Sequence, residues 1–211
     1  MIDPELELYA EEHTTPETNV LAKLNRETHL TQVYPRMLAG HLQGTLLRLI
    51  SRMIRPRRIL EIGTFTGYST INLAMGLISE EGLLHTIEVD PELEEIVRKY
   101  LKEAGVEGRV VLHVGNAMEI IPGLDEQWDL VYIDADKPNY LSYYGMVIDH
   151  VASGGFILAD NALWDGKVLD PKTTNKDAQG IIRFNEFVQN DERVENVLLP
   201  VRDGIMIIRK K

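Results

Sequence analysis

From about Arg58 onward, short apolar runs alternate with segments of helical period, and no other feature of this chain constrains its fold as strongly. The runs are Ile59-Leu60-Glu61-Ile62, Leu83-Leu84-His85-Thr86-Ile87, Val110-Val111-Leu112, Leu130-Val131-Tyr132-Ile133 and Phe156-Ile157-Leu158-Ala159. Each is brief and mostly apolar, which suits a strand buried on both faces. Between the second and third runs Leu93, Ile96, Val97, Tyr100, Leu101 and Ala104 recur at spacings of three and four. That is one apolar stripe on a helix, with Pro91 suited to its first turn and Gly105 to its stop. After Asn185 two strand-like segments, around Val194-Leu199 and Gly204-Ile208, are separated by Pro200 and Asp203-Gly204, the pattern of a closing hairpin. Five βα units and a hairpin predict an α/β fold: a doubly wound, mostly parallel sheet of seven strands with an antiparallel C-terminal edge.

Residues 1–56 precede the first strand and read as helical. Val20, Leu21 and Leu24 begin one stripe, and Leu42, Leu46, Leu47, Leu49 and Ile50 make another. Such helices either cover the mouth of a site at the sheet edge or meet another subunit. The 211 residues, 44% hydrophobic, suffice for one well-buried core and are few for two. One domain over 1–211 is expected, with a helical cap at 1–56 and an α/β core at 57–211.

The charge narrows the partners. Lys and Arg total 22 against 33 Asp and Glu, a net charge of −11 that repels phosphate backbones, so nucleic acid is not expected. A neutral or cationic small ligand fits better, as does an anion whose charge is met by a metal. Without cysteine there is no disulfide, thiolate ligand or thiol nucleophile. The polar, acidic start lacks a basic segment followed by an apolar run, and no stretch approaches a membrane span, so a cytoplasmic protein is expected.

The first strand runs into Glu61-Ile62-Gly63-Thr64-Phe65-Thr66-Gly67-Tyr68-Ser69. Its glycines let backbone approach a ligand at the carboxyl edge of the sheet, where the amides of a following helix can receive polar groups. The spacing is neither the G-x-G-x-x-G of dinucleotide binding nor a P-loop, since no lysine follows Gly67. Glu61 can accept from an ammonium group, position the loop or cap the next helix. Glu88, ending the second run, stands where such folds hold ribose hydroxyls, unless it is merely a solvated loop acid. Two acids with the glycines between them favour an amino-acid-bearing cofactor.

The fourth run ends in Asp134-Ala135-Asp136-Lys137 and the fifth in Asp160-Asn161. Adjacent strands lie about 4.8 Å apart, so these tips would share one crevice. Two carboxylates and an amide oxygen form a hard set suited to Mg2+, Ca2+ or Mn2+, and the histidines show no zinc spacing. The competing readings are Asp160 or Asn161 as a helix cap and Asp134 facing the cofactor. Lys137 sits one turn of chain from Asp134 and becomes a candidate general base, or else a surface lysine paired with an acid. Trp164 could wall a planar substrate or pack in the core.

Three blocks, EIGTFTGYS at 61–69, DADKPNY at 134–140 and DNALWDGKV at 160–168, resemble the cation-dependent O-methyltransferases of the caffeoyl-coenzyme A and catechol type, over about residues 37–211. The resemblance implies a Rossmann-like class I methyltransferase fold that binds S-adenosylmethionine and a divalent cation. By it, Glu61, Gly63, Thr64, Ser69, Glu88 and Ala117 contact the cofactor, Met37 closes over its methionine end, and Asp134, Asp136 and Tyr143 also touch it. Asp134, Asp160 and Asn161 match the metal ligands, Lys137 the catalytic base, and Trp164 and Asp165 substrate-lining positions. The implied reaction methylates one hydroxyl of a catechol-like phenolic small molecule, in a homodimer. Asp165 stands where the plant caffeoyl enzymes tend to carry Asn, and their longer substrate-recognition segments are missing, which argues against a coenzyme A thioester. The wider family also methylates hydroxylated uridine in tRNA, the first alternative; a non-catalytic binding module on this fold is the second.

Overall fold

The computed structural model describes residues 4–77, 81–170 and 172–211. Strands β1 (Arg58–Ile62), β2 (Leu83–Glu88), β3 (Val110–Val114), β4 (Trp128–Ile133), β5 (Val151–Ala159), β6 (Val194–Leu199) and β7 (Ile205–Lys210) form one sheet in the order β3-β2-β1-β4-β5-β7-β6. The first five are mutually parallel, and β7 runs antiparallel to both β5 and β6. Every apolar run of the sequence lies within a strand. The one large difference is β5, which starts at Val151 rather than near Phe156. Ser153-Gly154-Gly155 reads as loop by composition, yet it continues the strand across a register shift opposite Trp128 and Leu130. A side chain at Gly155 would stand 2.9 Å from the Ala152 carbonyl, so the irregularity requires glycine there.

Three helices, α1 (Pro4–Glu12), α2 (Asn19–Thr31) and α3 (Gly40–Ile54), precede the sheet. The crossovers carry α4 (Tyr68–Ala74), α5 (Glu94–Glu103), α6 (Ala117–Ile120) and α7 (Tyr140–Val147), and α8 (Lys176–Gln189) leads into the hairpin. Helix α5 follows its pattern closely: Asp90 caps a short turn at Pro91–Leu93, and Gly105 ends the element at φ 68°. The two faces of the sheet bury separate clusters because side chains alternate along each strand. On one face Leu60, Ile62, Val131 and Ile133 meet Tyr140, Tyr144 and Phe184; on the other Ile59, Leu130, Tyr132 and Leu158 meet Leu47, Ile71 and Val97. Each large apolar side chain so buried contributes about 1.5–3 kcal/mol.

Helix α3 departs from the stripe read in the sequence. Leu47 and Ile50 are buried, but Leu49 is 50% exposed, and the inward face also carries Gln43, Gly44, Arg48 and Ser51. The reason is close packing: a Cβ on Gly44 would stand 2.5 Å from the Tyr68 ring and 2.7 Å from the Asn72 amide, so α3 lies directly on α4 and a larger apolar face has no room. Helix α3 reaches the carboxyl edge of β4 and β5, where Gln43 donates to the Tyr132 hydroxyl and to Asp160. No helix among the described residues is long and apolar enough to cross a membrane.

The strand order reverses at β1, which is flanked by β2 and β4. Chains leaving the carboxyl ends of β1 and β4 diverge there and open a crevice, the place where doubly wound sheets take ligands.

Candidate active site

The glycine loop forms one wall of this crevice. It leaves β1 with the amides of Gly63 and Thr64 donating to the Ile87 carbonyl (3.0 and 3.3 Å), then turns through positive φ at Gly63 (101°), Phe65 (52°) and Gly67 (91°). A Cβ on Gly63 would fall 2.0 Å from the carbonyl oxygen of Asp134, so only glycine lets the loop lie against the end of β4.

Both acids of the loop motif are built into it. Glu61 is wholly buried, and its Oε2 accepts from the hydroxyls of Thr70 and Thr86, the latter at 2.7 Å. Thr86 in turn bonds the Thr64 hydroxyl. Glu61 therefore ties the side chains of loop and helix together and does not cap the backbone of α4. Its Oε1 is buried without a partner, an acceptor suited to a cationic or N–H-bearing ligand. Burial, with the Asp134 charge adding, raises its pKa to about 7 against the hydroxyl bonds that lower it. Glu88 is 6% exposed, so it is not a solvated acid; it accepts from the amides of Phe65 (2.6 Å) and Asp90 (2.9 Å).

The state of Glu61 makes stability depend on pH. Its folded pKa, about 7, lies above the ordinary 4.5, so its contribution is fully present below 4.5 and is lost as pH rises through 7. The full span is on the order of 3 kcal/mol. Asp160, raised to about 6, acts in the same direction, whereas His85 and His113, lowered by burial, act oppositely and only below about 6.5. Between pH 4.5 and 7 the Glu61 contribution is lost, so Glu61→Gln is expected to flatten the pH dependence of the thermal stability of the ligand-free protein across that window, the histidines acting alike in both proteins. Melting curves across the window check this; parallel curves for the two proteins would show that Glu61 is already ionised at the lower pH.

The opposite wall is the expected acidic edge. The Asp134 amide donates to the Ile62 carbonyl (2.9 Å) and the Asp160 amide to the Ile133 carbonyl (3.0 Å), so each strand hands its acid to the crevice at the same level. Burial and the neighbouring Asp134 charge raise Asp160 to about 6. Asp160 Oδ1 accepts from the Asn161 amide (2.8 Å), while Oδ2 accepts from Gln43 (2.6 Å) and the Tyr132 hydroxyl (3.3 Å). Asn161 follows at φ 55°, with its side-chain amine donating to Asp203 Oδ2 (3.2 Å). Among the described residues no three acids or histidines gather closely enough to hold an ion by themselves; the third donor of the expected set is this amide. Two close, partly desolvated carboxylates and an amide oxygen still fit a hard cation, which would relieve their repulsion.

Lys137 is 8% exposed, and its Nζ donates to Asp134 Oδ1 (3.0 Å), the Ala135 carbonyl (2.9 Å) and the Tyr140 hydroxyl (2.9 Å). It is thus the buried partner of Asp134 and not a surface lysine. The turn bearing it rests on α8, where a Cβ at Gly180 would meet the Lys137 carbonyl at 2.3 Å. The half-buried Trp164 ring has two amines near it, Lys137 Nζ at 5.6 Å and Lys167 Nζ at 5.8 Å from its centroid, and its Nε1 donates to Asn175 Oδ1 (3.3 Å). Asp165 is exposed at φ 53°, its amide bonded to Asp203. Asp136 is exposed and takes the hydroxyl of Tyr143 and the amide of Asn139. Ala117 is buried at the start of α6, and Met37 is 58% exposed just before α3.

Gln43, Tyr132, Tyr140, Arg202 and Asp203 join this network without having been singled out in the sequence. The inward side of α3 also carries Arg48 and Ser51, so the helical pattern did not mark Gln43; Arg202 and Asp203 looked like ordinary turn residues.

The family model for O-methyltransferase matches residues 11–211. Catechol O-methyltransferase of Niastella koreensis is 37% identical over 74% of this chain and 72% of its own length, and caffeoyl-CoA O-methyltransferase of Stellaria longipes is 32% identical over 85% and 80%. Among solved structures, the O-methyltransferase TomG from Streptomyces achromogenes, involved in tomaymycin synthesis and in complex with SAM, superposes with a TM-score of 0.92 at 32% identity over 100% of both chains. The Bacillus cereus O-methyltransferase in complex with SAH gives 0.91 at 29% identity over 98% and 97%. With its glycine loop and acidic edge arranged on this fold, and with the match spanning nearly its whole length, the chain belongs to the O-methyltransferase family.

Proposed function

We propose that this protein transfers the methyl group of S-adenosylmethionine to one hydroxyl of a catechol-like small molecule with the help of a divalent cation, Mg2+ before Ca2+ or Mn2+. The observation that carries the reading is the placement of Asp134, Asp160, Asn161 and Lys137 just after two adjacent parallel strands, with Gly63 of the glycine loop packed on the Asp134 backbone. The named activities of the catechol and caffeoyl-CoA relatives support it.

In this reading the loop from Glu61 to Ser69 seats the methionine and ribose portion, Glu88 the ribose hydroxyls, and Ala117, Asp136, Tyr143 and Met37 the remaining contacts. Asp134, Asp160 and Asn161 hold the cation, which supplies the Lewis acidity that makes a bound hydroxyl easier to ionise. Trp164 and Asp165 line the acceptor and hold its ring flat. Lys137, once it has released a proton to solvent, would take the hydroxyl proton on the neutral Nζ; the freed oxygen would then bond to the methyl carbon as that carbon's bond to sulfur breaks, leaving S-adenosylhomocysteine. Charge is neutralised in that step, so orientation and exclusion of water are the main contributions of the protein.

The test is methyl transfer to a panel of catechols and to tRNA, with and without a chelator, in wild type and Asp160→Ala. Catechol methylation abolished by chelator and by Asp160→Ala, with S-adenosylmethionine affinity retained in the variant, is the expected result. Chelator-resistant turnover would remove the cation, and methylation of tRNA alone would move the acceptor to a nucleoside.

A further inference from the structure

The turn joining β6 to β7, residues 200–204, touches the acidic edge at four points. The amides of Ala162 and Leu163 donate to the carbonyls of Gly204 and Asp203 (both 2.9 Å), the Asn161 side chain donates to Asp203 Oδ2, and the Asp165 amide donates to Asp203 Oδ1. On its other side Arg202, at φ 50°, sends Nη1 to Gln43 Oε1 (3.0 Å) and to the Ala39 carbonyl. We infer that this turn is the brace that sets both oxygen donors at the end of β5: Asp203 orients Asn161 directly, and Arg202 orients Asp160 through Gln43. The inference rests on the proposed cation site and adds to it three positioning residues.

Donor and acceptor chemistry fixes the orientation of both amides. A guanidinium can only donate, so the amide oxygen of Gln43 must face Arg202. The amine end of Gln43 is then forced toward Asp160 Oδ2 (2.6 Å) and the Tyr132 hydroxyl (3.0 Å), with no freedom to flip. Gln43 is 1% exposed, so losing either bond would leave a buried polar group unmet. A carboxylate can only accept, so Asp203 draws the amine end of Asn161 to itself, which leaves the amide oxygen as the end a cation can use. Hydrogen-bonded groups behind metal ligands fix ligand orientation in this manner and govern affinity. The Arg202–Gln43–Asp160 chain also joins three elements far apart in sequence, so the geometry of one carboxylate depends on the N-terminal helix and the C-terminal hairpin together.

Electrostatics separates a brace from a bystander. Arg202 is a cation close to the site, and deleting its charge should by field alone tighten binding of a divalent ion. A brace predicts the opposite. Binding of Mn2+ alone would be followed by the loss of its free electron-paramagnetic signal, and binding of S-adenosylmethionine by calorimetry, on the full chain. Arg202→Met and Gln43→Met are each expected to raise the Mn2+ Kd about 10- to 100-fold while S-adenosylmethionine affinity stays within about twofold. Arg202→Lys, which still offers a donor to the Gln43 oxygen, should recover most of the loss. Asp203→Asn, with one accepting oxygen where two donors converge, should weaken Mn2+ even though it adds no bulk.

Arg202→Met binding Mn2+ as well as or better than wild type, in a protein of native circular dichroism, overturns the inference. Should that variant fail to fold, Gln43→Met breaks the same link without a charge change and decides in its place. A wild-type protein that takes up no Mn2+ would instead bring down the cation reading itself, and this inference with it.

Discussion

Lys137→Met is expected to lower kcat for a catechol by about 10²- to 10⁴-fold with KM little changed, the loss typical of a missing general base. The side chain is buried beside Asp134 and Tyr140, so methionine fills its volume while removing its titratable nitrogen. Removal also deletes a positive charge next to Asp134, so affinity for a divalent ion should hold or improve, and a fall in rate cannot then be blamed on ion loss. Lys137→Arg completes the test: a guanidinium keeps the charge but does not deprotonate, so it should be nearly as slow as methionine. Steady-state kinetics with Mg2+ saturating, across pH, checks both. Retention of full activity and of the wild-type pH profile by the arginine variant would assign the lysine to charge balance alone.

The second large effect is expected at Gly63. Alanine there would bring a Cβ to within 2.0 Å of the Asp134 carbonyl oxygen and hold φ near 101°, where an L side chain is strained. The backbone term and the overlap each cost about 1–3 kcal/mol. Relief must come from the loop lifting off β4 or from the tip of β4 moving, and either displaces a wall of the crevice. Gly63→Ala should therefore lower the melting temperature and abolish measurable S-adenosylmethionine binding together. Calorimetry and thermal unfolding check the pair; a variant that melts like wild type and binds normally would mean that the loop does not rest on β4 as described.

Much of this architecture was legible because strands buried on both faces write themselves as short, mostly apolar runs. Ile59–Ile62 and Leu130–Ile133 fall wholly inside β1 and β4, and Asp134 and Asp160, which chain order alone places after β4 and β5, reach the crevice at the same level. The glycine loop was equally plain, since Gly63 and Gly67 both take positive φ. What stayed hidden was whatever depends on neighbours distant in sequence. Leu49 has the chemistry of a core residue and lies half exposed, while Gln43 has the chemistry of a surface residue and is buried, because contact with α4 and with Asp160 decides the inward face of α3. Arg202 and Asp203 occupy a turn whose local pattern explains their presence completely, so nothing in that pattern hints at partners more than forty residues away. Ser153-Gly154-Gly155 hid the start of β5 for the converse reason: a bulge needs the residues a loop uses.

The strand order carries a consequence for how the protein is made. Because β7 is inserted between β5 and β6, the order in which the sheet closes differs from the order in which the ribosome delivers its strands. Until residues 205–210 have been synthesised, β6 has no neighbour to pair with and β5 presents an open row of backbone donors and acceptors over Phe156–Ala159. Such an unshielded border invites pairing between nascent copies. Removal of a short carboxyl-terminal stretch should thus be felt as aggregation during expression, well before any question of catalysis arises.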